Sequence, residues 1–306
     1  MARLDAERVR PRWLAMLGRV GGAFGAVLGS EVIRRLRRNP SAVAGFVILL
    51  LLVLAGVFAP LLTPYDPTRQ ELVQVLQHPS LAHPLGTDQL GRDLLARILY
   101  GGRLTLFIGA FAVAVGIVVG VPLGVISGFY RGTVDMVIQR VMDLMLAFTS
   151  FLLALTLVSL LGVGLTNVIV AVGISTIPRF ARLVRSSVLT IREISYVEAS
   201  RALGAADRRV LWRHVLPNAV APVIVQATLS MGATILTAAG LGFLGLGVQP
   251  PTPEWGAMLG QGRNYIFSNP NVTTFPGLAI FLAVMGFNLL GDGLRDALDP
   301  QLRGTR

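Results

Sequence analysis

Cysteine and lysine are both absent from this sequence, histidine occurs three times, and only 14% of the 306 residues are charged. Without cysteine there is no disulfide framework, no thiolate metal site and no catalytic thiol. Without lysine there is no G-K-[ST] phosphate loop, so any ATP that drives this protein is bound by another polypeptide. His78 and His83 lie close together, but no third ligand stands at a recognisable spacing, and no metal site is expected. No Ser/His/Asp arrangement and no catalytic pair of carboxylates is evident. The chain is read as a non-enzyme without cofactor.

What is abundant is apolar. Hydrophobic residues make up 53% of the chain and the mean hydropathy is +0.67, whereas a soluble domain carries roughly 25% charged residues. The pattern predicts an all-α, polytopic membrane bundle of six transmembrane helices. The first apolar run, Ala42 to Leu62, is long enough to cross about 30 Å of hydrocarbon. Arg34, Arg35, Arg37 and Arg38 precede it, and it is read as an uncleaved anchor rather than a signal peptide. Further spans are expected near 104–129, 141–161, 165–177 (continuing as helix past Arg179), 219–243 and 275–294. This divides the chain into an arginine-rich segment 1–41, the anchor 42–62, an outer loop 63–103, a five-helix core 104–294 with a loop at about 192–217, and a tail 295–306.

All 27 basic residues are arginine, and they test this topology. With both termini in the cytoplasm, 22 arginines and 11 acids fall inside, and 5 of each fall outside. The inner side then carries the whole net charge of +11. Positive-inside topology accounts for the charge, and no nucleic acid is needed as partner. Two outer segments, 63–103 and 244–274, are long and proline-bearing, which suits shaped surfaces at an aqueous face.

Gly116, Gly120, Gly124 and Gly128 recur every four residues, a face on which another helix backbone can approach closely; Pro122 in the same span predicts a bend. Gly240–Gly245 matches G-x-G-x-x-G, but it closes a span and leads into a proline-rich loop, so no dinucleotide site is expected. Asp143 is expected to pair with Arg140 one turn before it. Asn288 and Asp292, late in the sixth span, are candidates to line a pore, with helix packing or capping as the alternative.

The segment Tyr196–Asp207, continuing through Trp212 to Asn218, predicts two short helices joined by a turn. Gly204 can end the first, and Pro217 limits where the next begins. Two readings stay open for it from the residues alone. It is a docking surface, where Ala199, Ser200 and Ala202 allow close approach, or an interfacial helix held to membrane lipid by its arginines.

The same segment resembles the E-A-A-x-x-x-G-x(9)-I-x-L-P loop of binding-protein-dependent ABC importer permeases. Glu198, Ala199, Gly204, Leu216 and Pro217 match it. Ser200 replaces the second alanine, and His214 stands in place of isoleucine. His214–Asn218, His83–Asp93, Leu246–Pro251 through Trp255–Gly256, Asn288–Asp296 and Arg37–Pro40 resemble the dipeptide, oligopeptide and nickel branch, specifically its "C" permease. The resemblance covers roughly residues 30–303. Thr149 departs from it where proline is expected, and this substitution is expected to straighten the third span.

The resemblance implies a type I importer fold in a prokaryotic inner membrane. It implies pairing with a homologous second permease, two ATP-binding cassette subunits beneath, and an extracytoplasmic solute-binding protein that delivers cargo. Glu198, Ala199, Ser200, Arg201, Ala202, Leu203 and Gly204, with Leu216 and Pro217, would form the ATPase-coupling site. Short peptides are the expected cargo; nickel complexes, glutathione and oligosaccharides are alternatives. An ion-coupled secondary transporter is the competing class, but the spans show neither an inverted repeat nor midplane ionisable groups clearly.

Overall fold

The computed structural model describes residues 30–298. Most of the segment 1–41 and the end of the tail 295–306 therefore lie outside the described residues. Among the described residues the regular structure is helical, apart from one isolated bridge between Thr87 and Asp93, and the stretches around 63–93 and 244–254 are mostly turns and irregular chain. In chain order the helices are α1 (Ser30–Arg38), α2 (Pro40–Val57), the short α3 (Ala59–Leu62), α4 (Leu94–Tyr130), α5 (Gly132–Leu146), α6 (Ser150–Leu161) and α7 (Leu165–Arg192). There follow α8 (Ser195–Ala202), α9 (Asp207–Val210), a π-helical turn Leu211–Val215, α10 (Leu216–Phe243), α11 (Trp255–Gly262) and α12 (Asn271–Leu298). Among the described residues five helices are long and apolar enough to cross a membrane, the π-helical turn counted with α10, and six spans result if α5 and α6 count as one.

The glycine face of α4 packs on α7. A Cβ on Gly120 would stand 2.8 Å from the Ile177 carbonyl oxygen, and one on Gly128 would stand 2.9 Å from that of Arg185. Gly116 meets Thr176 and Phe180, and Gly124 meets Ala181 and Val184. The two helices thus run parallel at backbone contact, as small residues permit where lipid supplies no hydrophobic drive for association. A similar fit joins α2 to α12: Gly45 faces the backbone at Gly286 and Leu290, and Gly293 faces Ala42. Asn39 caps α2 by accepting from the Ser41 and Ala42 N–H groups, and its amide donates to Asp296 at 3.1 Å. The start of α2 and the end of α12 therefore share one end of the bundle.

Several boundaries differ from expectation. The first span kinks at Phe58, where α2 stops and α3 begins. α4 starts ten residues early, because the Asp93 carboxylate caps it by accepting the Ala96 N–H at 2.7 Å. The fourth span does continue as helix past Arg179, as expected, and ends at Arg192. The third span is not straightened. α5 and α6 meet at 89° across Ala147–Thr149. Thr149 does the work expected of proline: in extended conformation, its hydroxyl accepts the Leu152 N–H and starts a new helix. Asp143 pairs with Arg182 of α7 rather than with Arg140, because the crossing of α5 over α7 brings a guanidinium within reach.

Candidate functional site

Between α7 and α10 the first short helix and its turn form as the residues predict, but the second is not a separate short helix: α9 runs through the π-helical turn into α10, and Pro217 falls within that continuous helix. α8 ends with Leu203 N–H donating to Ala199 and Ala205 N–H donating to Ser200 across Gly204. Gly204 sits at φ +80°, a conformation that costs an L side chain energy, and its Cβ position faces open space. The inner face of the hairpin is anchored: Val197, Val210 and Val215 are fully buried in one cluster with Val184, Val188 and Phe129. The outer face carries Glu198, Ala199, Ala202, Leu203 and Gly204, all exposed, with Leu203 at 89%. Ser200 is half-buried, and the Arg201 side chain lies outside the described residues. Leu216 and Pro217 do not join that exposed face; they are half-buried at the start of α10.

A brace crosses the hairpin. The Asn218 amide donates to the Tyr196 hydroxyl at 3.2 Å and to the His214 carbonyl at 2.6 Å, and the Tyr196 and His214 rings meet edge to face at 5.6 Å. His214 lies within the π-helical turn. Such turns are rare, and their wider hydrogen-bonding pattern often marks functional positions.

At the far end of the bundle, residues 63–93 fold onto α4 and α11 around buried polar groups. Arg92 donates to Asp88 at 2.7 Å and to Gln261 at 3.0 Å, and Arg97 approaches Asp88 at 3.4 Å. His83 is buried between Asp93 at 2.9 Å and Gln74 at 2.7 Å, which gives it a packing role; His78 does not join it. Glu254 accepts the Gly256 and Ala257 N–H groups at the start of α11 and the Thr105 hydroxyl from α4. Burial pushes its carboxyl above the usual range, against those three hydrogen bonds. Trp255, buried, donates its indole N–H to the Ile98 carbonyl at 2.9 Å.

Polar groups also lie within the helices. Asp135 of α5 accepts both prongs of Arg185 of α7, and Ser127 of α4 donates to the same carboxylate. Asn288 and Asp292 are both exposed one turn apart on α12, and Asn288 faces Gly232 of α10.

Comparison with known proteins matches two consecutive parts of the chain. Residues 28–79 match the N-terminal TM domain of oligopeptide transport permease C, and residues 120–304 match the binding-protein-dependent transport system inner membrane component. The chain belongs to the binding-protein-dependent ABC importer permeases. The dipeptide transport system permease protein DppC of Alkalihalophilus pseudofirmus is 48% identical over 89% of this chain and 90% of its own length. The glutathione transport system permease protein GsiD of Pectobacterium atrosepticum is 47% identical over 89% of this chain and 91% of its own. In fold, a chain of the MetNI methionine ABC transporter, solved in inward facing conformations, superposes with a TM-score of 0.55 at 22% identity. It covers 65% of this chain and 94% of that one.

The permease is thus an inner membrane, multi-pass component of a binding-protein-dependent ABC transporter, and is not itself catalytic. The matched segments include the Glu198–Gly204 hairpin and the Leu246–Gly256 and Asn288–Asp296 signatures. Sequence reasoning missed what the far-end signature does physically. The i, i+4 spacing of Asp88 and Arg92 was a readable signal for one pair. Nothing in the sequence pointed to Gln261, Thr105 or Arg185 as partners, because each is separated from its contact by fifty residues or more.

Proposed function

We propose that this permease moves short peptides, with the hairpin 193–217 as the surface through which ATPase movement enters. The observation that carries the coupling role is the pairing of an exposed face, Glu198 to Gly204, with a fully buried valine anchor continuous with α7 and α10. A push on the exposed face reaches two spans through packed side chains. Leu216 and Pro217 act at the root of this lever rather than on its docking face. Two ATP-binding cassette subunits, a homologous second permease and a solute-binding protein at the far end complete the assembly. Both termini are then cytoplasmic, which agrees with the Asn39–Asp296 contact.

The cargo reading draws on the dipeptide and glutathione systems named for the relatives, both of which take small peptides with free carboxylates. Asn288 and Asp292 are exposed candidates for the path. The test uses the permease co-assembled with its second permease and two ATPases in nanodiscs. Loaded binding protein is expected to stimulate ATP hydrolysis in wild type, and Gly204→Asp is expected to lose stimulation or assembly while still inserting. A Gly204→Asp complex that assembles and couples like wild type would move the docking site elsewhere.

A further inference from the structure

We propose that Arg179 of α7 is a contact for the substrate carboxylate on the path through the membrane. This rests on the reading that the cargo is a short peptide. Depth is the first observation. α4 carries no charged residue between Arg103 and Arg131, about 40 Å of helix. Gly120 lies three residues, or about 4.5 Å, past the middle of that stretch and packs on Ile177, Phe180 and Ala181. Arg179 is therefore level with the hydrocarbon, not with the cytoplasm to which the end of the apolar run assigned it.

The second observation is exposure without neutralisation. Its neighbours Thr176, Ile177, Pro178, Phe180 and Ala181 are all buried against α4 and the core, yet Arg179 is exposed. Arg182, one turn on, is paired with Asp143, and Arg185 with Asp135. Among the described residues Arg179 alone of these three has no acid. Exposed Ser186 and Thr190 continue the face toward the hairpin, so it stays polar on that side. A guanidinium at this depth is costly against lipid and belongs on a water-filled path or opposite an anion. A carboxylate matches its fork, and every unmodified peptide brings one.

The native absence of cysteine makes the test direct. Arg179→Cys is introduced into the full transporter, with its other subunits made cysteine-free, in proteoliposomes. Uptake is measured for a dipeptide and for its C-terminal amide before and after treatment with cationic or anionic methanethiosulfonate reagents. Arg179→Cys is expected to lower dipeptide uptake about tenfold, and the cationic reagent, not the anionic one, to restore it. No restoration of amide uptake is expected. A thiol that neither reagent reaches, equal restoration by both, or equal gain for the amide would overturn the contact. Loss of the second permease on purification would instead assign Arg179 to an acid of that subunit and overturn it too. Should the assembled wild-type complex hydrolyse ATP but move no dipeptide, the peptide reading itself falls.

Discussion

Arg185 of α7 grips Asp135 of α5 with both prongs, Nε and Nη2 each 2.6 Å from a separate carboxylate oxygen. The pair closes the inner corner where α4 turns into α5, and Ser127 and Gln139 complete it. Because α7 leads directly into the hairpin, this contact ties the broken span to the element that the ATPase is proposed to move.

Removing one partner leaves a partly buried charge alone. Asp135→Asn is expected to cost about 2 kcal/mol, less than the ~3–5 kcal/mol of a fully buried pair, because solvent reaches Arg185. A double-mutant cycle with Arg185→Gln, read by thermal unfolding in nanodiscs, checks this. Strictly additive losses would mean that the two side chains do not support each other.

The α4–α7 seam makes a contrast between two glycines. A Cβ at Gly124 meets Val184 Cβ at 2.9 Å and the Ala181 carbonyl, so Gly124→Ala must push two backbones apart. A loss of about 1–3 kcal/mol is expected. Gly277 in α12 has only Leu259 at 3.8 Å, and Gly277→Ala is expected to be neutral or to gain up to ~1 kcal/mol from helix propensity. The Gly124 variant should melt below wild type and the Gly277 variant at or above it; equal shifts would refute the close seam.

Glu254 supplies a pH test. Its carboxyl is raised above the ordinary 4.5 by burial, so the folded state holds the proton more tightly than the unfolded chain. Its contribution to stability is therefore greatest below the unfolded pKa and is lost as pH rises through the folded one. Glu254→Gln, which cannot ionise, is expected to flatten this part of the profile above the ordinary carboxylate range. An unchanged profile in thermal unfolding would show that Glu254 ionises as freely in the fold as outside it.

Local signals carried far in this chain. The spacing of Gly116 to Gly128 predicted a packing face, and that face meets α7. Gly204 predicted the turn that it makes. Thr149 was misread, since the expectation considered only a missing proline and not the hydroxyl that caps α6. The Asp143–Arg140 expectation failed for a related reason: helical spacing shows which side chains are near on one helix, not which cation a second helix brings closer.

Composition and hydropathy alone determined that the chain lives in a membrane, how many times its helices can cross, and that no nucleotide is held by a lysine loop. Those properties depend on residue type and on short periods, which a sequence displays directly. Among three arginines of α7, tertiary structure decided which pair with acids and which does not. Arg179, Arg182 and Arg185 stand three residues apart and look alike in sequence. α5 crosses α7 so that Asp143 and Asp135 reach the second and third of them. Long-range packing sets that choice, because an ion pair needs two groups within about 4 Å, and helices distant in sequence meet only once the bundle has closed.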